Sequence, residues 1–469
     1  MNKAILWSSF YTKRILFLLL ILIAAGLIFF RYNFISFGYI AFAVVSIVIF
    51  FKGLENIPKY LISGNIPLKL FWFTILIRIG IVFILYLYYY TSVHSPYGEF
   101  FAPNAEDATG YHYIARWMAA DFWSGEINYE YYTALMGSHS DMGYIYWTLP
   151  WYIVFGPHLW LQGIFNLIVG AWSVVLVYKI ALYQFTKKIA ILSAVMTMLY
   201  SSFILYTSSS LKEMVLIWVM LVAIYHFQLY LKLHKQKALN LFIAMLFIFF
   251  LAFFRNFLVI LLSFAFFMGL YFNSKRGSNL QLIIFILFGA GSLIALGNIF
   301  GFSNEIQSTV DSAPDMFEGV VSRRAGNALA VKFASLPVFL LYTIPGPLVS
   351  FVKTGDQQTI WLQFSGFFIR NVLMFFYAYG LYSLIRNSFR PNIFLIIITL
   401  GYLFIMAYTG YVTNGRYHLV AAPLLFFFSA YGYSIMTSKK IKWFDIFLIF
   451  IFILNMGWNY FKLLGRGLM

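Results

Sequence analysis

Pro103-Asn104-Ala105-Glu106-Asp107-Ala108-Thr109-Gly110-Tyr111-His112-Tyr113-Ile114-Ala115 opens the first long hydrophilic segment of this chain, just after an apolar run that ends near Tyr90. Read as a helix, it sets Asp107, Tyr111 and Ala115 on one face, because residues four apart stack on successive turns. A carboxylate then stands at the rim of a membrane with an aromatic ring one turn below it. The same residues also read as an ordinary helix start. Asn104 would be the cap, Asp107 the acid reaching back to it, and both acids would suit the positive end of the helix dipole.

The composition decides the surroundings of that stretch. Of 469 residues, 62% are hydrophobic and 10% charged, against about 25% charged in soluble domains. Apolar runs of about 20 residues recur along the whole length, which predicts an all-α, polytopic helical membrane protein. Aromatic residues make up 22% of the chain, and many Trp and Tyr fall near the ends of apolar runs, where interfaces favour them. The absence of cysteine excludes disulfide and thiol chemistry. The net charge of +17 reflects where Lys and Arg flank the spans and does not point to nucleic acid.

About thirteen spans are expected, near 15–31, 35–51, 70–90, 160–184, 189–207, 214–231, 238–254, 257–272, 280–299, 361–385, 391–409, 418–436 and 443–461. Residues 144–157 are apolar but short, and read as a helix lying at the interface of the first long loop. Residues 336–353 are apolar but broken by Pro337, Pro345 and Pro347. With the N-terminus in the cytoplasm, the clusters Lys52/Lys59/Lys69, Lys187/Lys188, Lys232/Lys235/Lys237, Lys275/Arg276, Arg386/Arg390 and Lys439/Lys440/Lys442 all fall inside. The long segments 91–157 and 300–353 then fall outside, together with the turns at 208–213, 255–256 and 414–418. The organisation expected is two additional N-terminal helices in 1–60, a catalytic membrane module in 61–436, and a C-terminal helix in 437–469.

The outer face concentrates the polar chemistry. Segment 91–143 carries seven acids and one basic residue, Arg116. Other outer turns supply Lys212, Arg255, Arg323, Arg324 and Arg416. Acids to activate a hydroxyl and cations to hold a phosphate are the two needs of transfer from a lipid phosphate. Arg416 stands where a turn enters the membrane, so it reads either as a phosphate ligand or as an interfacial anchor. Lys212-Glu213 reads as part of the site or as a helix start capped by Ser210. His94, His112, His139 and His158 lie among or near the acids and leave a divalent metal open as a cofactor, without a diagnostic ligand spacing. Arg370, deep in a span beside Asn371, is functional by default or a structural pairing. Arg78 is expected to snorkel toward the cytoplasmic side.

Three motifs in chain order carry a resemblance. They are Asp107-x-x-x-Tyr111-x-x-x-Ala115, the stretch Gly143-Tyr-Ile-Tyr-Trp-Thr-Leu-Pro-Trp-Tyr-Ile-Val-Phe-Gly156, and Arg416-Tyr417-His418 followed by Pro423 and Ala430-Tyr431-Gly432. Together they resemble the GT-C integral membrane glycosyltransferases, the group that includes protein O-mannosyltransferases and lipid A aminoarabinose transferases. The resemblance runs from about 70 to 436. It departs in the order Glu106-Asp107, in the absence of an Arg near Trp160-Leu161-Gln162-Gly163, and in the extra N-terminal helices. It implies a GT-C-like fold in a bacterial inner or plasma membrane, with the site on the non-cytoplasmic face. It also implies a polyprenyl-phosphate-linked sugar donor and a glycan, lipid or protein acceptor. By position, Asp107 is the expected base, with Glu106 beside it. Arg416, Lys212 and Arg255 are expected at the donor phosphate. Tyr111, His112, Glu213, Tyr417 and His418 are expected to contact substrate.

Two other classes remain open. A transporter or flippase of lipid-linked sugars should show acids or broken helices at mid-membrane and repeat symmetry; no acid lies deep in a span. A polysaccharide polymerase or ligase would rely on outer arginines and histidines, and Arg323, Arg324 and His418 fit it.

Overall fold

A computed structural model describes residues 7–29, 37–92, 106–137, 141–208, 211–232, 236–273, 339–340, 342–351, 360–409 and 415–464. Among the described residues its elements are all helices. They are α1 (Ser9–Phe29), α2 (Phe37–Leu61), α3 (Ile66–Ser92), α4 (Glu106–Ser124), α5 (Tyr129–Met136), α6 (Met142–Phe155), α7 (Leu159–Gln184) and α8 (Lys187–Leu199). Then come α9 (Ser201–Ser208), α10 (Glu213–Lys232), α11 (Lys237–Leu251), α12 (Asn256–Asn273), α13 (Ile360–Asn387), α14 (Phe389–Tyr408), α15 (Gly415–Ser434) and α16 (Ser438–Leu464).

Among the described residues seven helices are long and apolar enough to cross a membrane, or eight if α8 and α9 form one bent span. By length alone α3, with 27 residues, and α15, with 20, also match a bilayer. The expected span 280–299 and most of the segment 300–353, with Arg323 and Arg324, lie outside the described residues. The expected span 189–207 is corrected to two helices that meet at Tyr200 with a 55° bend.

Local chemistry sets the element boundaries. The α2–α3 turn contains Gly64 at φ 75°, a conformation that costs glycine little. Lys69 donates to the carbonyls of Ser63 (2.9 Å) and Tyr60 (3.3 Å) at the end of α2, and Asn65 caps α3 by accepting from Leu68 N–H at 3.3 Å. Pro67 sits in the first turn, where its missing donor costs nothing.

Helix α13 packs along α15, and their backbones touch. A Cβ on Gly432 would lie 1.9 Å from the Phe376 carbonyl oxygen, and one on Gly380 would lie 2.1 Å from that of Phe428. Small residues let membrane helices approach this closely. Helix α2 lies against α8 and α13, and α1 against α16. Trp7 stacks on Tyr433 with ring centroids 4.6 Å apart. The N-terminal helices therefore share the core of the bundle.

Ends that the alternation of spans puts at one level do meet. Gln184 donates to the Pro391 carbonyl at 2.6 Å, Lys187 to that of Ile62 at 3.1 Å, and Arg14 pairs with Asp445 at 2.7 Å. At the opposite level Gly143 N–H donates to the Phe253 carbonyl at 2.8 Å.

Arg78 does not snorkel. It is fully buried, donates to Thr207 Oγ1 at 2.9 Å, and lies over the Phe203 ring at 4.6 Å. Gly170 makes room for it, since a Cβ there would fall 2.3 Å from Arg78 Nη1. The other deep arginine, Arg370, fastens irregular backbone. Its Nη2 donates to the Thr343 carbonyl at 2.8 Å and its Nη1 to that of His418 at 3.4 Å. Asn371 holds the Pro345 and Pro347 carbonyls, Tyr377 that of Ile344, and Asn459 that of Val349. Non-helical backbone inside a bundle needs such partners, because lipid supplies none.

Candidate active site

Helix α4 runs along α6 and presents two faces. Ala108, Tyr111, His112, Ile114, Ala115, Met118 and Ala119 are buried beneath it. Tyr111 meets Tyr144 of α6 edge to face at 5.3 Å, and Tyr144 Oη accepts from Asn166 of α7 at 3.0 Å. This chain of contacts fixes the start of α4 over the N-terminal parts of α6 and α7. Asp107 stands at the edge of the packed face, with its side chain 53% exposed. Glu106 opens the same helix, and its side chain lies outside the described part.

Three cations reach this end from separate turns. Arg416, in the first turn of α15, donates through Nη1 to Asp107 and through Nε to Glu213. Glu213 opens α10, its side chain is 2% exposed, and Arg255 Nη2 lies 3.9 Å from the same carboxylate oxygen. The Arg255 guanidinium lies over the Tyr417 ring at 4.2 Å, and the Tyr417 carbonyl accepts from Tyr402 at 2.8 Å. Lys212, in the turn before α10, pairs with Asp141 and donates to the Phe254 carbonyl at 3.1 Å. The result is one cluster of three acids, Asp107, Glu213 and Asp141, and three cations, Arg416, Arg255 and Lys212.

The cluster is balanced in charge, and burial divides it unequally. A buried carboxylate is tolerated only when paired, and Glu213 has two guanidinium neighbours. Burial first, and the nearby Arg255 second, push the Lys212 ammonium down to about 8, against the pull of Asp141. Burial pushes the Tyr111 phenol far above its ordinary value, with the negative charges of Asp141 and Glu213 adding to the effect, so it stays protonated.

The expected site residues thus separate into two groups. Asp107, Arg416, Glu213, Arg255 and Lys212 come together, and Tyr417 backs Arg255. Tyr111 and His112 lie behind the cluster. His112 is buried, with Nδ1 2.6 Å from Tyr152 Oη. His418 is buried as well, and its carbonyl receives the bond from Arg370. Asp141 was not expected as a partner of Lys212. Its place at the end of the acid-rich segment, directly before the short interfacial helix, was the signal available. Among the described residues no three His, Asp or Glu side chains converge as metal ligands, and His94 and His139 lie outside the described residues.

No protein-family model, curated protein or solved structure matches the chain.

Proposed function

We propose that this cluster is the active site of a membrane glycosyltransferase of GT-C-like architecture with about thirteen spans. It moves a sugar from a polyprenyl-phosphate-linked donor to an acceptor on the non-cytoplasmic face of a bacterial inner or plasma membrane. The observation that carries the reading is Arg416, which bridges Asp107 and Glu213 at residues 309 and 203 positions away in the chain. An exposed carboxylate and a set of cations at one end of a bundle are what the reaction needs.

An acceptor hydroxyl attacks the anomeric carbon of the donor. The bond from that carbon to the phosphate oxygen breaks, the hydroxyl proton passes to Asp107, and polyprenyl phosphate leaves with the developing charge. An entering phosphate competes with the carboxylates that already hold Arg416. Asp107 is the exposed one and Glu213 the buried one. Donor binding then frees Asp107 at the moment a base is required, while Glu213 keeps Arg416 aimed.

Asp107→Asn should leave the protein folded and inserted while lowering sugar transfer by about 100-fold or more, the range for a lost general base. Transfer at the wild-type rate in this variant would remove Asp107 from the mechanism.

The bend at Tyr200 and the irregular segment 342–351 beside Arg370 favour a second reading, a transporter of lipid-linked sugars, since such proteins use broken helices near the midplane. Movement of a labelled lipid-linked sugar across vesicles by the Asp107→Asn variant would support that reading over transfer.

A further inference from the structure

Asp141 stands where an acid ordinarily caps a helix. It is the N-cap residue of α6, yet its side chain accepts no hydrogen bond from that helix. A capping oxygen usually takes the backbone N–H two or three residues on. Here the first of those donors, Gly143 N–H, goes to the Phe253 carbonyl at 2.8 Å. A Cβ at Gly143 would lie 2.4 Å from that oxygen, so the approach needs glycine. The Asp141 carboxylate pairs instead with Lys212. Lys212 in turn donates to the next carbonyl, that of Phe254, at 3.1 Å. The start of α6 therefore grips two consecutive carbonyls just before Arg255, one through its own backbone and one through Lys212.

We propose that Asp141 is a positioning residue of the donor site, holding Lys212 there as a cation and acting on the donor phosphate only through it. The proposal rests on the transferase reading of the Asp107 cluster. Among the described residues three charged groups act on the Lys212 ammonium: Asp141 at the start of α6, Glu213 of α10, and Arg255 just before α12. Arg255 repels it, and Glu213 is already shared by Arg416 and Arg255. Asp141 is the carboxylate in direct contact with it. The Lys212 side chain is 3% exposed, and a buried lysine without a paired acid gives up its proton sooner than keep the charge. Burial already pushes the ammonium down to about 8 with Asp141 in place. An opposite charge at this range opposes such a fall by about one to three pH units. The Asp141 side chain is 34% exposed, which puts its effect at the low end. Without it, the site would lose one of its cations near neutral pH.

The test uses the full-length protein in nanodiscs between pH 6 and 10, with two readings: thermal unfolding and affinity for polyprenyl phosphate. Wild-type stability should rise with pH from about 8 upward, because the unfolded state then binds more protons than the folded one. In Asp141→Asn the rise should begin about one pH unit lower. Asp141→Ser, which keeps a good capping residue on α6, should behave as Asp141→Asn does, and Asp141→Glu should restore the wild-type curve. The fall of polyprenyl phosphate affinity with pH should move down by the same unit in Asp141→Asn, with the affinity at pH 6 within about twofold of wild type. In a Lys212→Met background, Asp141→Asn should no longer shift either curve along the pH axis. A stability rise that still begins near 8 in both Asp141→Asn and Asp141→Ser would overturn the proposal. So would an affinity loss equal at every pH, or a pH shift that persists in the Lys212→Met background. If wild type retains no polyprenyl phosphate at any pH, the transferase reading fails, and the stability curves by themselves decide whether Asp141 holds Lys212 charged.

Discussion

At the scale of single residues, Lys212 is the group whose titration separates function from stability. Its ammonium is almost wholly buried and its pKa in the folded protein is lowered to about 8, against about 10.4 for an unfolded lysine. Below pH 8 both states hold the proton, and the folded state bears the cost of a buried charge. Between about 8 and 10 the unfolded state binds more protons than the folded one, so stability rises with pH through that window. Under the proposed role of Lys212 in holding the donor phosphate, phosphate binding should move in the opposite direction, because that cation disappears. The measurement is the melting temperature and the polyprenyl phosphate affinity of the detergent-purified protein at pH 7, 8 and 9. Wild type should show the two opposed slopes, and Lys212→Met should show neither. An affinity that stays flat from pH 7 to 9 in wild type would place Lys212 outside the donor site.

Among elements, the pair α13 and α15 controls where Arg416 sits. Arg416 projects from the first turn of α15, and the register of that helix is set lower down, where Gly432 and Gly380 meet the facing backbone. A methyl group at either position must push the helices apart, because its nearest neighbours are main-chain atoms that cannot rotate away. Gly432→Ala and Gly380→Ala should each cost about 1–3 kcal/mol, the usual range for overpacking. The double variant should cost less than the sum, since both act on one contact. Thermal unfolding of the three variants tests this, and strict additivity would mean that the two glycines act independently. The irregular stretch 342–351 is held in the same region by Arg370, Asn371 and Tyr377 of α13 and by Asn455 and Asn459 of α16. It is a fixed wall of the bundle, with its carbonyls at 343, 344, 345, 347 and 349 all engaged by side chains.

For the whole molecule, the site lies at one end of the bundle and the Lys-rich turns at the other. The proposed orientation rests on that asymmetry, because short basic loops tend to stay in the cytoplasm. The chain has no cysteine, so introduced thiols are unique reporters. A cysteine at position 126, in the exposed turn between α4 and α5, should react with an impermeant thiol reagent in intact cells. A cysteine at position 439, exposed at the start of α16, should react only after lysis. The reverse pattern would put the acid cluster in the cytoplasm and exclude chemistry on the outer face.

The amino-acid sequence by itself determined the class of this protein: long apolar runs between basic turns leave only a helical bundle in lipid, since every backbone donor must be satisfied within its own segment. It also marked Asp107, Lys212, Glu213, Arg255 and Arg416, because charged residues beside apolar runs are rare enough to stand out. Which of these touch was decided only in three dimensions. Asp107 and Arg416 are 309 residues apart, and no local pattern encodes the helix order that brings α4, α10 and α15 to one place. The break at Tyr200 was marked in the run 189–207 only by the pair Ser201-Ser202, which lies where the second helix begins. Burial separated Glu213 from Asp107 and enclosed Arg78, whose neighbours Gly170 and Thr207 lie on other helices. Hydropathy records what a residue prefers on average, and the packing of distant helices decides whether it reaches water, a partner or a substrate.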